Sequence, residues 1–232
     1  NETGVLQPIE RIGELAGAAG GIFICDAVQA AGRVPLDIQA IRHGALFVSG
    51  HKLGGPKGVG AVVFSDEGIQ PEPLVRGGGQ ERRKRSGTEN VAGICGLAAA
   101  LAAAISERET AAARALLLQR RLEQGLRRIR PDTVVFGEAA PRLGNTTAFA
   151  IPGIAAETAL IALDLDGVAV SSGSACSSGK VARSHVLDAM GVDPALAGSA
   201  LRISTGRTTS EAHIDTCLEA LERIARRFSA RS

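Results

Sequence analysis

Lys52 lies in the segment Ser49-Gly50-His51-Lys52-Leu53-Gly54-Gly55-Pro56-Lys57-Gly58-Val59-Gly60, between two apolar runs at 45–48 and 61–64. Both runs have the length and residue types of buried strands, so the polar stretch between them reads as a turn at a sheet edge. A lysine held there against a core loses solvation of its charged form. That frees the neutral amine to attack an aldehyde, the chemistry of a Schiff-base lysine. Ser49 and His51 offer donors to a phosphate, and the glycines let backbone approach a ligand closely. Together these features point to pyridoxal 5'-phosphate. An exposed lysine in a glycine-rich turn fits the same residues. A phosphate-binding P-loop does not: counted from Gly50 and Gly55, position 56 would have to be lysine and is proline, and no Ser or Thr follows to hold magnesium.

Residues 21–25 read as a further strand, ending at Asp26-Ala27-Val28-Gln29. Ligands of open α/β sheets bind at the carboxyl ends of strands, which puts Asp26 where an acid can meet a cofactor. Its carboxylate can pair with a protonated pyridine nitrogen and keep the ring an electron sink, while Gln29 can donate to the ring phenolate oxygen. A plain helix N-cap is the other reading of Asp26.

Cys25-Asp26-Ala27-Val28-Gln29 followed by Ser49-Gly50-His51-Lys52 resembles the cofactor site of group I (NifS/IscS-type) cysteine desulfurases, a branch of the fold-type I, class V aminotransferase family. Four more blocks carry the resemblance. Asn1-Glu2-Thr3-Gly4 with Gln7-Pro8-Ile9 is similar to the segment whose asparagine touches cofactor and substrate. Gly77-Gly78-Gly79-Gln80-Glu81 with Arg85-Ser86-Gly87-Thr88-Glu89-Asn90 resembles the stretch whose threonine reaches the cofactor phosphate of the partner subunit. Ser171-Ser172-Gly173-Ser174-Ala175-Cys176-Ser177-Ser178-Gly179 resembles the loop of the catalytic cysteine. Leu201-Arg202-Ile203-Ser204 with Gly206-Arg207 resembles the segment whose first arginine grips the substrate carboxylate.

The resemblance implies a homodimeric, pyridoxal 5'-phosphate-dependent enzyme that converts L-cysteine to L-alanine. It implies Lys52, His51 and Cys176 as catalytic residues, with Asp26, Gln29, Ser49, His51, Lys52, Asn1 and Thr88 holding the cofactor and Arg202 with Asn1 holding the substrate. Sulfur would leave as a persulfide on Cys176 for a scaffold that assembles iron–sulfur clusters; no metal site is expected beyond a transient contact of Cys176 with such a cluster. The small residues around Cys176 offer little apolar area to anchor the loop, so mobility is expected there. A selenocysteine lyase or an aminotransferase on the same scaffold, and a non-catalytic binding fragment, are the alternatives. The chain starts inside a family motif and lacks the part that supplies a ring-stacking histidine and a phosphate-binding Gly/Thr turn. It therefore reads as part of a longer parent, with sheet edges and apolar faces exposed.

The elements that must position these residues follow an α/β order. A helix is expected over 8–19, then the strands named above, then two helices over 90–109 and 114–130, closed by Pro131. Strands over 133–136 and 146–151, a helix over 156–165, a strand over 168–170 and a helix over 210–228 complete the chain. The expected fold is a fold-type I transferase: the C-terminal part of a large domain with a mostly parallel sheet (1–110), then a smaller α+β domain (111–232). The 232 residues are 45% hydrophobic and 22% charged, with a net charge of +2, which gives no sign of nucleic-acid binding. The basic cluster Arg82-Arg83-Lys84-Arg85 reads as a solvated loop. Cys25, Cys95 and Cys217 lie beside apolar residues without metal-binding spacing and read as core or near-core thiols. Unpaired cysteines point to a reducing cytoplasm, and the apolar run 91–105 reads as too short and too weakly hydrophobic to span a membrane.

Overall fold

The computed structural model describes residues 1–172 and 184–229. The chain divides into two compact units, Gln7–Glu109 and a second that joins Asn1–Leu6 to Thr110–Ser232. In the first unit, helix α1 (Ile9–Ala18) leads into strand β1 (Phe23–Asp26), and β2 (Gly44–Ser49) and β3 (Gly60–Phe64) follow. The sheet order is β1-β2-β3. β1 and β2 run parallel with Asp26 opposite Phe47, whereas β2 and β3 run antiparallel with Ser49 opposite Gly60. The expected mostly parallel sheet is thus a mixed one among the described residues. The short turn around Lys52 sends the chain straight back, and only an antiparallel partner can follow so short a connection. Ala27, Ile41 and Leu46 form the buried centre of this unit. Ile22, Ile24, Val62 and Val63 stay exposed.

Helix α2 spans Val91–Ile129 without a break, where two helices were expected. Thr110-Ala111-Ala112-Ala113 holds neither glycine nor proline, so nothing in the sequence stops the helix there. The expectation that this region is too short and too weakly apolar to cross a membrane is corrected as well: by length and composition alone α2 meets that test. Core helices meet it too, and one face of α2 has a packing role. Gly96, Ala100 and Ala104 recur every four residues on that face. A Cβ on Gly96 would lie 2.5 Å from Pro56 Cγ, and one on Gly55 would lie 3.1 Å from Ala100 Cβ, so the helix rests closely on the Lys52 turn.

The second unit holds β4 (Val134–Val135), β5 (Thr146–Ala150), β6 (Ser171–Ser172) and β7 (Ala200–Ser204) in an antiparallel sheet of order β4-β5-β7-β6. Period-2 alternation splits β5 between two cores. Phe149 packs with Leu118, Leu122 and Leu126 of α2, with Leu163 of α3 (Ala156–Leu165), and with Ile214, Leu218 and Leu221 of α6 (Glu211–Ser229). Ala148 and Ala150 face Phe136 and Leu187 on the other side, where the short helices α4 (His185–Ala189) and α5 (Pro194–Ala197) lie. The strand expected over 168–170 is replaced by β6. Gly167, at φ +76, caps α3, and the Val168 N–H returns to the Leu163 carbonyl at 2.8 Å, so this stretch closes the helix. The first six residues belong to this unit, not to the N-terminal domain expected from sequence. Leu143 N–H donates to the Gly4 carbonyl at 2.8 Å and Leu6 N–H to the Pro141 carbonyl at 2.9 Å.

Candidate active site

Because β1 and β2 are parallel neighbours, their carboxyl ends emerge at the same sheet edge. Asp26 is the last residue of β1 and Ser49 the last of β2. Ser49 Oγ and His51 Nδ1 share a hydrogen bond of 2.8 Å. Gly50–Lys52 forms a single 3-10 turn, in which Gly50 is buried and His51 and Lys52 are exposed. Only glycine fits at position 50: a Cβ there would lie 2.9 Å from the Pro56 carbonyl oxygen and 3.0 Å from Val59 Cγ1. The Gly50 carbonyl accepts from Leu53 N–H and Gly55 N–H, both at 2.9 Å, and fixes the backbone that carries Lys52. The desolvated lysine expected from the flanking apolar runs is therefore corrected. The turn buries its glycine and directs the amine outward.

Asp26 is exposed, and its Oδ1 accepts from the Val28 N–H at 2.9 Å. It closes a turn rather than capping a regular helix, since 28–33 is a run of turns. Gln29 lies in that run. Sequence reasoning missed Arg33, whose guanidinium donates to the Gln29 carbonyl at 2.8 Å and to the Lys52 carbonyl at 2.9 Å. An arginine after a glycine in a turn carries no periodic signal that would single it out. Thr88 is exposed in the loop before α2 and makes no bond to the Lys52 turn; its carbonyl and that of Gly87 face the Arg85 guanidinium, with Gly87 the nearer at 2.9 Å.

In the second unit the structure brings Asn1 and Arg202 together. Arg202 Nη1 donates to the Asn1 carbonyl at 3.2 Å and Nη2 to Ser171 Oγ at 3.3 Å. Arg202 Nε is buried without a hydrogen-bond partner. Among the described residues no carboxylate pairs with this guanidinium, whose planar fork suits one. Ser184 Oγ donates to the Glu2 carboxylate. Cys176 lies outside the described residues. Of the other cysteines, Cys217 is buried and Cys25 half-buried, as expected, but Cys95 is exposed on α2. Burial, and then the neighbouring Asp26 charge, push the Cys25 thiol up. Neither favours a thiolate there.

The first unit thus carries an exposed lysine and an exposed acid at the carboxyl ends of two parallel strands, and the second carries an arginine that pairs with no carboxylate among the described residues. Residues 1–217 match the family described as Aminotransferase class-V, and the chain belongs to that family. It is 43% identical over its whole length to a cysteine desulfurase of Trichormus azollae, and 40% identical, over 98% of its length, to the cysteine desulfurase IscS of Methanosarcina thermophila. It spans 58% and 56% of those two proteins. Among solved structures it resembles a NifS-like protein of Rickettsia africae, with a TM-score of 0.87 and 38% identity over 97% of this chain and 59% of that one. The fold is accordingly the α/β fold of the fold-type I transferases.

Proposed function

We propose that the protein containing this chain is a pyridoxal 5'-phosphate-dependent cysteine desulfurase. The observation that carries this reading is the shared carboxyl edge of β1 and β2, which presents Asp26 beside the rigid turn of Lys52. An amine, a carboxylate and a hydroxyl–imidazole pair at one edge fit the cofactor's aldehyde, ring nitrogen and oxygen atoms. When bound, the cofactor supplies an aldehyde for the lysine and a ring that withdraws electrons from the substrate Cα.

Asp26 holds the proton of the ring nitrogen, Gln29 donates to the ring oxygen, and Ser49 with His51 offers donors toward cofactor oxygens. Lys52, on its fixed backbone, moves the proton at the substrate Cα. Arg202, steadied by Asn1, binds the substrate carboxylate through charge-assisted bonds. Cys176, assigned from sequence, takes the sulfur. L-cysteine and the enzyme thiol become L-alanine and an enzyme persulfide, so no outside oxidant is needed. The persulfide then serves a sulfur acceptor such as an iron–sulfur scaffold. We infer further that the enzyme is a homodimer with the 85–90 segment facing the partner subunit, a role that the exposure of Thr88 supports. The three unpaired cysteines among the described residues suit a reducing cytoplasm.

The test is reductive trapping of the purified protein with borohydride, followed by peptide mapping and an alanine assay. The expected result is cofactor fixed on Lys52 and alanine released from L-cysteine. Lys52→Ala should lower kcat by at least about 100-fold. Cys176→Ala should keep the cofactor and lose sulfur transfer. Cofactor trapped at another lysine, or full turnover by Cys176→Ala, would refute the assignment.

A further inference from the structure

Two turns of the first unit carry the residues assigned to the cofactor, and one side chain ties them together. Arg33 Nη1 bonds the Gln29 carbonyl at 2.8 Å while Nη2 bonds the Lys52 carbonyl at 2.9 Å. Gly32, at φ +71, brings the same turn against the Lys52 turn: a Cβ on Gly32 would lie 2.9 Å from Leu53 Cδ2 and 2.7 Å from Ala104 Cβ. The guanidinium is half-buried, and that burial pushes its pKa below the ordinary arginine value. Among the described residues it pairs with no carboxylate. A cation that is partly dried yet bonded to two neutral backbone carbonyls does little as an ion pair. Its geometry makes it a fork that spans two turns, which a lysine ammonium cannot reproduce.

We infer that Arg33 is a positioning residue, which locks the Lys52 turn to the Gln29 turn and so fixes where the Lys52 amine stands. The catalytic meaning of that position rests on the function proposed above; the clamp itself does not. If Arg33 acts this way, loosening it should free residues 50–55 locally and slow proton movement at the substrate Cα. Substrate affinity, set by Arg202 and Asn1, should hardly change. A general brace would instead loosen the whole first unit and leave the folded fraction fully active.

The experiment compares wild type, Arg33→Lys and Arg33→Met in the cofactor-loaded protein by two readouts. Amide hydrogen exchange of peptides covering 50–55 reads the clamp. Exchange of the substrate Cα proton in heavy water, followed by mass spectrometry, reads the lysine without involving Cys176. In both variants, exchange at 50–55 should rise, and Cα exchange should fall, each about 10-fold, the scale of losing one charged hydrogen bond in a partly buried setting. KM and cofactor content should stay near wild type. Arg33→Lys keeps the charge and decides the matter if Arg33→Met does not fold. Wild-type exchange at 50–55, or faster exchange spread evenly over Gln7–Glu109, would overturn the inference. A wild type that binds no cofactor on Lys52 would instead sink the proposed function, and the amide readout would still judge the clamp.

Discussion

Cys217 is buried on α6, where desolvation pushes its thiol up to about 11, while Cys95 stands exposed on α2. Thiolate is the reactive form, so the two should differ sharply toward an alkylating reagent. At mildly alkaline pH, mass mapping should find Cys95 modified within minutes and Cys217 only after denaturation. The same shift has a stability sign. A folded value near 11 against an ordinary 9.0 means that Cys217 supports the folded state below about pH 9 and loses that support as pH rises toward 11. Cys217→Ala should therefore flatten part of the alkaline fall in melting temperature, and an unchanged alkaline limb would contradict the burial argument. Lys52 and Asp26 were legible because their types stand out at the ends of apolar runs. The exposure of Cys95 and the outward direction of Lys52 were not, since each depends on which face of an element finds a partner.

Elements were legible wherever periodicity was strong and punctuated, as in α3, whose bounds follow the expected 156–165. The continuity of α2 was less so, because its charged middle reads like a gap although its residues are all helix-compatible. One site on α2 tests how tightly the elements pack. A Cβ on Gly125 would lie 2.3 Å from Leu218 Cδ1 and 3.0 Å from its Cγ, where α2 crosses α6. Gly125→Ala gains roughly 1 kcal/mol in helix preference, whereas overpacking a core costs about 1–3 kcal/mol. The clash should win, and the variant should melt earlier. Leu218→Ala makes room for the added methyl, so the double variant should lose less stability than the two single losses added together. Additive losses in denaturant titrations would show that the helices have slack at this crossing.

At the scale of the whole chain, the two units differ in how completely they bury their apolar residues. The second encloses Phe149, Leu122, Leu126, Leu163 and Leu221 at 0–1% exposure. The first centres on Ala27, Ile41 and Leu46 and leaves Ile24 at 63% and Val62 at 55% exposed. Apolar burial is the main favourable term in stability, so for the chain Asn1–Ser232 the first unit should open before the second. Calorimetry should show two transitions, with amides of β1–β3 exchanging faster than those of β5 and β7. A buried polar network offers a way to assign the upper one. Glu123 is buried in the second unit, where its Oε2 accepts from Arg142 Nη2 at 3.2 Å and its Oε1 from Thr147 Oγ1 at 3.2 Å. Replacing it by glutamine leaves the Arg142 cation buried without its anion, a loss of about 3 kcal/mol. Glu123→Gln should therefore lower the upper transition by several degrees and leave the lower one in place. A single transition that shifts as a whole would mean that the two units unfold together, and that the exposed strands of the first are no weaker than the closed core of the second.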